Sequence, residues 1–360
     1  MNDHTIAFLK SAYREFYFKK ANEIDFPPEI QSREFGYIPF GGNMIRHLSF
    51  KTAGEAIVEI VRQSPSSVYC SNARYSSPTL PMEEKGWLGA SLIFDIDATD
   101  IPTPCKKTHD VWYCEVCHTS GKMPRPSYCP SCKKPVQVLH GTCGICLETA
   151  RQHTLRVIDF LVRDFGVATD MITTYFSGSR GYHLYILDRR FDLLDQETRA
   201  EVAEYIRGSS LPPSNTIWAS LKHASPESEP FRGWTKRIAS AVGYAPGQAN
   251  RPRKSVAQAI ASQAGRIDSS VTTDVHRIFR LAGTLHGTSG MRKTLVHSED
   301  DSNPTIGATV LSDAEAKLNV DFYPTFSIKG REFGPYKSEV VMLPTYATIG
   351  ILTRGLGEVV

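Results

Sequence analysis

Long apolar runs are missing from this chain of 360 residues: nothing in it approaches the roughly 20 consecutive apolar residues of a membrane span. The N-terminal stretch "TIAFLKSAYREFYFKKA" carries charges inside every possible apolar core, which excludes a signal peptide. Charge of one sign is also not in excess. The 41 Lys and Arg against 38 Asp and Glu leave a net +3, so no nucleic-acid partner is imposed by bulk charge and any such surface is a local patch. Internal repeats, low-complexity tracts and Ser-His-Asp or Cys-His nucleophile sets are absent. Cysteine outside close pairs is scarce. Of eight cysteines, six stand in Cys-x-x-Cys pairs and only Cys70 and Cys105 are alone, a pattern that points to metal in a cytoplasmic protein and away from disulfides.

What is present reads in blocks. Apolar residues Ile6, Leu9, Tyr13, Phe16 and Tyr17 recur at helical spacing, with Thr5 as the expected cap. Residues 33–100 read mostly as strands and turns, among them "REFGYIPF", "NMIRHLSF", "SSVYCS" and "ASLIFDID". Residues 147–166 predict a helix stopped by Gly166, and "MITTYFSG" and "YHLYILD" predict strands joined by "SGSRG". From about 190 to 265 the sequence turns Ala-, Glu- and Gln-rich, as in inserted helices. The tail reads as β-rich without obvious chemistry.

Three motifs carry possible chemistry. In "LIFDIDAT", Asp95 and Asp97 fall on one side of a strand about 7 Å apart, where both carboxylates can reach a divalent ion; the alternative is the exposed end of a strand. In "FSGSRGYH", Ser177, Gly178, Ser179 and Gly181 let backbone amides approach an anion, Arg180 offers a fork for phosphate, and His183 opens the next strand; the alternative is a plain hairpin turn. "RIDSSVTTDVHRIFRLAGTLHG" offers a third carboxylate, Asp268 or Asp274, with Arg277, Arg280 and His286; the alternative is an amphipathic surface helix.

In this order, "FDID", "SGSRGYH" and "D-x-x-V-T-T-D-x-x-R-x-x-R-L-x-G-T-L-H-G" resemble the small, catalytic subunit of DNA primases of the archaeal and eukaryotic type, over most of residues 33–290. The archaeal branch looks nearer. The resemblance implies a nucleotidyltransferase in which Asp95, Asp97 and Asp268 hold two Mg²⁺ or Mn²⁺ ions, Asp268 being preferred because it opens its motif, with Asp274 starting a helix. It further implies that Ser177, Arg180, His183, Arg280 and His286 grip the nucleotide's triphosphate. Glu34 in "REF" and Arg46 in "IRH" would contact the nucleotide or the metal surroundings. Ser179 departs from the pattern, since many relatives carry a second basic residue there.

The resemblance also addresses the cysteines, whose three pairs make one and a half four-ligand sites. Relatives carry a Cys and a His just after the "DID" strand and a Cys-x-x-Cys leading into a helix. That implies a first Zn²⁺ site of Cys105, His109, Cys143 and Cys146, with His118 or His140 as alternatives to His109. The remaining Cys114, Cys117, Cys129 and Cys132 have the spacing of a zinc ribbon, a second site inserted inside the first. The competing arrangement joins Cys114 and Cys117 to Cys143 and Cys146. Lys122, Arg125, Lys133 and Lys134 make the ribbon basic, either for a nucleic-acid strand or as a solvated rim. "KR" at 236–237 and "RPRK" at 251–254 offer a further patch of the same two readings. Cys70 and the four tryptophans read as packing residues.

The expected fold is α+β, with a primase-type mixed sheet. Catalytic core segments 1–104, 147–189 and 266–360 would be interrupted by a zinc block (105–146, ribbon 112–140) and a helical insertion (190–265). The expected function is template-directed de novo synthesis of short primers during replication; the alternatives are a primase-like polymerase of end-joining repair and a zinc-ribbon nucleic-acid-binding protein without catalysis. Expected partners are a large primase subunit with an iron–sulfur domain, a single-stranded DNA template and nucleoside triphosphates. The location would be at the nucleoid if archaeal or in the nucleus if eukaryotic.

Overall fold

The computed structural model describes residues 1–223, 232–244, 255–296 and 303–360. Helix α1 (Asp3–Lys19) buries Leu9, Tyr13, Phe16 and Tyr17 on one face, as its periodicity requires. Its cap is Asn2, whose side chain accepts from the Thr5 amide; Thr5 itself is buried within the helix and accepts from the Val359 amide. Strands β1 (Phe35–Ile38) and β2 (Ile45–Leu48) follow, then helix α2 (Ala53–Gln63), capped by Thr52, in a region that reads as strands and turns in sequence. Next come β3 (Ser67–Ser71), β4 (Ala73–Tyr75), β5 (Trp87–Ala90) and β6 (Leu92–Asp97).

The cysteine block contains α3 (Lys106–His109) and a small sheet of β7 (Val111–Tyr113), β8 (Ser120–Lys122) and β9 (Gln137–Leu139). Helix α4 (Gly144–Arg163) starts and ends three residues earlier than expected, and Gly166 takes a left-handed φ of 65° just beyond it. After β10 (Ile172–Phe176) and β11 (Gly181–Ile186) lie α5 (Gln196–Arg207), α6 (Ser214–His223), α7 (Gly233–Val242) and α8 (Val256–Gln263). Then follow α9 (Ser269–Thr273), β12 (Ile278–Arg280), β13 (Thr294–Leu295) and α10 (Pro304–Ala308). The tail forms β14 (Glu315–Tyr323), β15 (Phe326–Ile328), β16 (Arg331–Phe333), β17 (Tyr336–Pro344), α11 (Thr345–Leu352) and β18 (Gly357–Val359). Helix α11 is written in β-formers, "TYATIGIL", but it is buried nearly all round, and packing overrides local preference.

Two four-stranded sheets, ordered β12-β3-β1-β2 and β13-β10-β11-β6, form the centre. The α+β class holds, but every strand pair in both sheets is antiparallel, which corrects the expected mixed sheet. The strands neighbour one another through turns or across distant segments, not through the long crossovers that parallel pairs need. The second sheet rests on α4, and α5, α7 and α8 share that apolar core through Val202, Ile206, Trp234, Ile238 and Ala259. A second core joins α1, the first sheet and the tail. The sheets meet where Phe279 of β12 packs edge-on against His183 and Tyr185 of β11. Among the described residues, no helix is long and apolar enough to cross a membrane.

Candidate active site and metal centres

Strand β6 alternates as a half-buried strand must. Leu92, Phe94 and Ile96 are buried in the core beneath the sheet, while Asp95 and Asp97 stand together on the other face. In the pairing with β11, Asp95 lies opposite His183 and Asp97 opposite Gly181. The third carboxylate arrives from a distant segment: the Asp268 amide donates to the Asp95 carbonyl at 3.0 Å. Asp268 then caps α9, its Oδ1 accepting from the Ser270 amide at 2.9 Å. Asp97 does the same for the turn after β6, accepting from the Thr99 amide at 2.7 Å and from the Thr99 hydroxyl. Asp274 ends α9 rather than starting a helix, and accepts from the His276 amide at 2.9 Å.

Burial, and then the charges of Asp97, Asp268 and Asp100, push the Asp95 carboxyl up to about 7. Three crowded acids with this cost call for cations, and hard divalent ions prefer such oxygens. The donor set therefore fits Mg²⁺ or Mn²⁺.

The "SGSR" turn is built for close approach. Ser177 Oγ accepts from the amides of Ser179 and Gly181, both at 3.3 Å, which leaves its own proton free to donate. Gly178 has φ of 79°, and a Cβ there would meet the Met291 carbonyl at 2.9 Å; at Gly181 it would meet the Ile96 carbonyl at 2.0 Å. Arg180 stands with Nε 3.8 Å from Asp97, and Arg280 donates Nη1 to the Ser177 carbonyl at 3.1 Å. The Nε atoms of both arginines and Nδ1 of His183 are buried without a hydrogen-bond partner. His183 Nε2 lies 3.5 Å from Asp95, and burial with the nearby Lys293 and Arg280 charges holds the ring well below its usual pKa. His286 Nδ1 accepts from the amides of Thr288 (3.2 Å) and Ser289 (3.3 Å), so the neutral ring carries its proton on Nε2. Burial and the charges of Arg280, Arg180 and Arg354 hold it neutral.

Glu34 sits differently from the expected nucleotide contact. It is fully buried, gripped by Arg46 at 2.9 and 3.1 Å and by Lys85, so its oxygens face protein cations. Arg46, a third exposed, is thereby held in a fixed position. Sequence reasoning missed Lys293. It is 1% exposed, donates to the Tyr185 hydroxyl (2.8 Å) and the Arg280 carbonyl (2.9 Å), and lies against the Tyr175 and Tyr185 rings. No motif marks it.

The cysteine block forms two closed donor groups, Cys105-His109-Cys143-Cys146 and Cys114-Cys117-Cys129-Cys132, with the ligand atoms of each within 4.8 Å of one another. Sulfur separations of 3.3 Å (Cys105–Cys146), 3.4 Å (Cys114–Cys132) and 3.5 Å (Cys117–Cys129) are close to the edge of about 3.7 Å that a tetrahedron of Zn–S bonds would have. Both sets fit zinc. The structure brings together neither the interleaved pairing nor a set with His118 or His140. Of the basic patches, Arg237 is an internal clamp on Asp159 and Asp164, stacked 3.8 Å over Phe160, not a free cation; the "RPRK" stretch at 251–254 lies outside the described residues. Cys70 is buried, as are Trp112 and Trp234.

Comparison with known proteins gives a consistent result. The family described as "DNA primase small subunit" matches residues 139–297. The chain is 33% identical to DNA primase small subunit PriS of Cenarchaeum symbiosum, covering 99% of this chain and 100% of that one. It is 32% identical to PriS of Nitrosopumilus maritimus over all of both chains. Among solved structures, the polymerase domain of Mycobacterium tuberculosis Ligase D in complex with DNA is a remote likeness, with TM-score 0.39 and 12% identity over 81% of this chain and 83% of that one.

Proposed function

This chain belongs to the DNA primase small subunit family, and we infer from that membership that it is the catalytic subunit of a DNA primase, a DNA-directed nucleotidyltransferase of replication. A small subunit implies a larger partner subunit and a DNA template. We assign that partner the iron–sulfur domain and take nucleoside triphosphates as substrates.

The observation that carries the site assignment is the meeting of three carboxylates from two distant segments beside a phosphate-shaped turn. Asp95, Asp97 and Asp268 would hold the divalent ions. When bound, these would supply Lewis-acid activation of a 3′-hydroxyl and charge neutralisation at the phosphates. The side chains do the rest. Arg180 and Arg280 present forks to the polyphosphate tail, and the Ser177 hydroxyl and His286 Nε2–H donate to its oxygens. His183 stays neutral beside Asp95, able to donate from one nitrogen without adding a proton to the carboxylate. Glu34 fixes Arg46, which would contact the nucleotide or the metal surroundings. The two cysteine groups would hold structural zinc, each closing a segment too short for a core of its own.

The test is synthesis without a primer. The protein with a single-stranded template, labelled nucleotides and Mg²⁺ or Mn²⁺ should form dinucleotides de novo, and D268N should abolish them. Extension only from a supplied primer would indicate a gap-filling polymerase. Template binding with no incorporation would indicate a non-catalytic zinc-ribbon protein.

A further inference from the structure

Asp110 belongs to neither zinc ligand set, yet it is 3% exposed and both its oxygens are engaged. Oδ1 accepts from His109 Nδ1 at 2.8 Å and from the Gly141 amide at 3.2 Å, and Oδ2 accepts from His140 Nδ1 at 2.8 Å. A proton held on Nδ1 of His109 leaves the lone pair on Nε2, the atom 3.1 Å from the Cys146 sulfur. The same carboxylate ties down the turn that follows β9. Gly141 permits this closure, since a Cβ there would lie 2.7 Å from the His109 carbonyl and 2.9 Å from its Cβ.

The turn then reaches the phosphate site. The His140 carbonyl accepts from Arg180 Nη1 at 3.5 Å, and Arg180 Nε, which has no hydrogen-bond partner, faces Asp97. His140 and Gly141 also wall a cavity of about 140 Å³ shared with Ser179, Arg180, Ser289 and Arg354. A long arginine with one fixed nitrogen has fewer conformations to lose when it closes on a ligand.

We propose that Asp110 is a positioning residue that couples the first zinc site to the nucleotide grip: it turns His109 toward the metal and holds the His140 carbonyl that aims Arg180. This rests on the reading of Arg180 as a triphosphate contact. Metal occupancy and nucleotide affinity are then linked through one buried carboxylate.

The experiment compares wild type, H140A, D110N and D110A. Zinc is measured by chelator competition, triphosphate binding by calorimetry with ATP in Ca²⁺, and KM and kcat by nucleotide incorporation on a template. H140A should keep both zinc ions while KM and the ATP Kd rise about tenfold with kcat nearly unchanged, as expected for a misplaced binding group. D110A should also weaken the first zinc about 10–100-fold, the usual cost of losing an outer-shell partner. D110N, which keeps an acceptor for His109, should fall between wild type and D110A. Wild-type affinity for ATP in both H140A and zinc-loaded D110A overturns the coupling. Wild-type protein that binds no ATP overturns the reading of Arg180 first, and the coupling with it.

Discussion

The carboxylate site and the cysteine block are both donor clusters, but they are built on opposite terms. Each cysteine group closes on itself, with its four ligand atoms within 4.8 Å of one another. The three aspartates do not form such a group among the described residues: Asp97 and Asp268 each turn one oxygen away to cap a local turn, and Asp95 carries the cost of burial and, after it, of repulsion. Thiols and imidazoles can approach one another without charge; carboxylates near neutral pH cannot. A closed set suits a structural ion and leaves no place for substrate, whereas splayed oxygens leave room for phosphate. The difference teaches which cluster holds the fold and which can do chemistry.

The sharpest way to break that contrast is to neutralise each cluster in turn. D95N should lower primer synthesis at least about 10³-fold, as expected when charge stabilisation at the reacting centre is lost. Its melting temperature should be equal to or above wild type, because the amide removes a repelled charge. C114S with C129S should do the reverse, losing one zinc and the protection of residues 112–140 in hydrogen exchange while retaining much more activity. If D95N unfolds the protein, or the cysteine variant alone is inactive at full stability, the division fails.

The next largest effect tests Lys293. K293M keeps the stem but loses the bonds to Tyr185 and the Arg280 carbonyl, and kcat should fall about 10–100-fold, the range seen when a supporting partner of a site is removed. An unchanged kcat would reduce Lys293 to packing. A smaller effect concerns pH. The Asp95 carboxyl is raised from 3.8 to about 7 in the folded protein, so between those values the folded state holds a proton that the unfolded state lacks. Stability of protein free of Mg²⁺ and Mn²⁺ should therefore fall as pH rises from about 4 to 7 and then level off, relative to D95N. Saturating Mn²⁺ should flatten that difference, and a difference that grows with pH would contradict the raised carboxyl. The smallest functional effect is expected at Arg237: R237A should cost about 2–3 kcal/mol in denaturant unfolding by stranding Asp159 and Asp164, with template affinity unchanged.

The sequence determined which donor side chains stand together wherever the covalent chain imposes a fixed local spacing. Two aspartates two apart on a strand must share a face, glycines must flank a turn that approaches a backbone, and Cys-x-x-Cys pairs must present both sulfurs to one point. It also marked the strands β1, β3, β6, β10 and β11 through short β-branched and aromatic runs bounded by turn residues. It could not determine what depends on neighbours distant in the chain. Helix α11 forms from β-formers because other segments bury it; Glu34 is buried against Arg46 and Lys85; Lys293 reaches β11 and β12 without any motif; and Asp274 closes α9 instead of opening a helix. Local spacing is a property of the covalent chain, but burial and charge pairing exist only once remote segments have packed, and so the tertiary structure alone decided them.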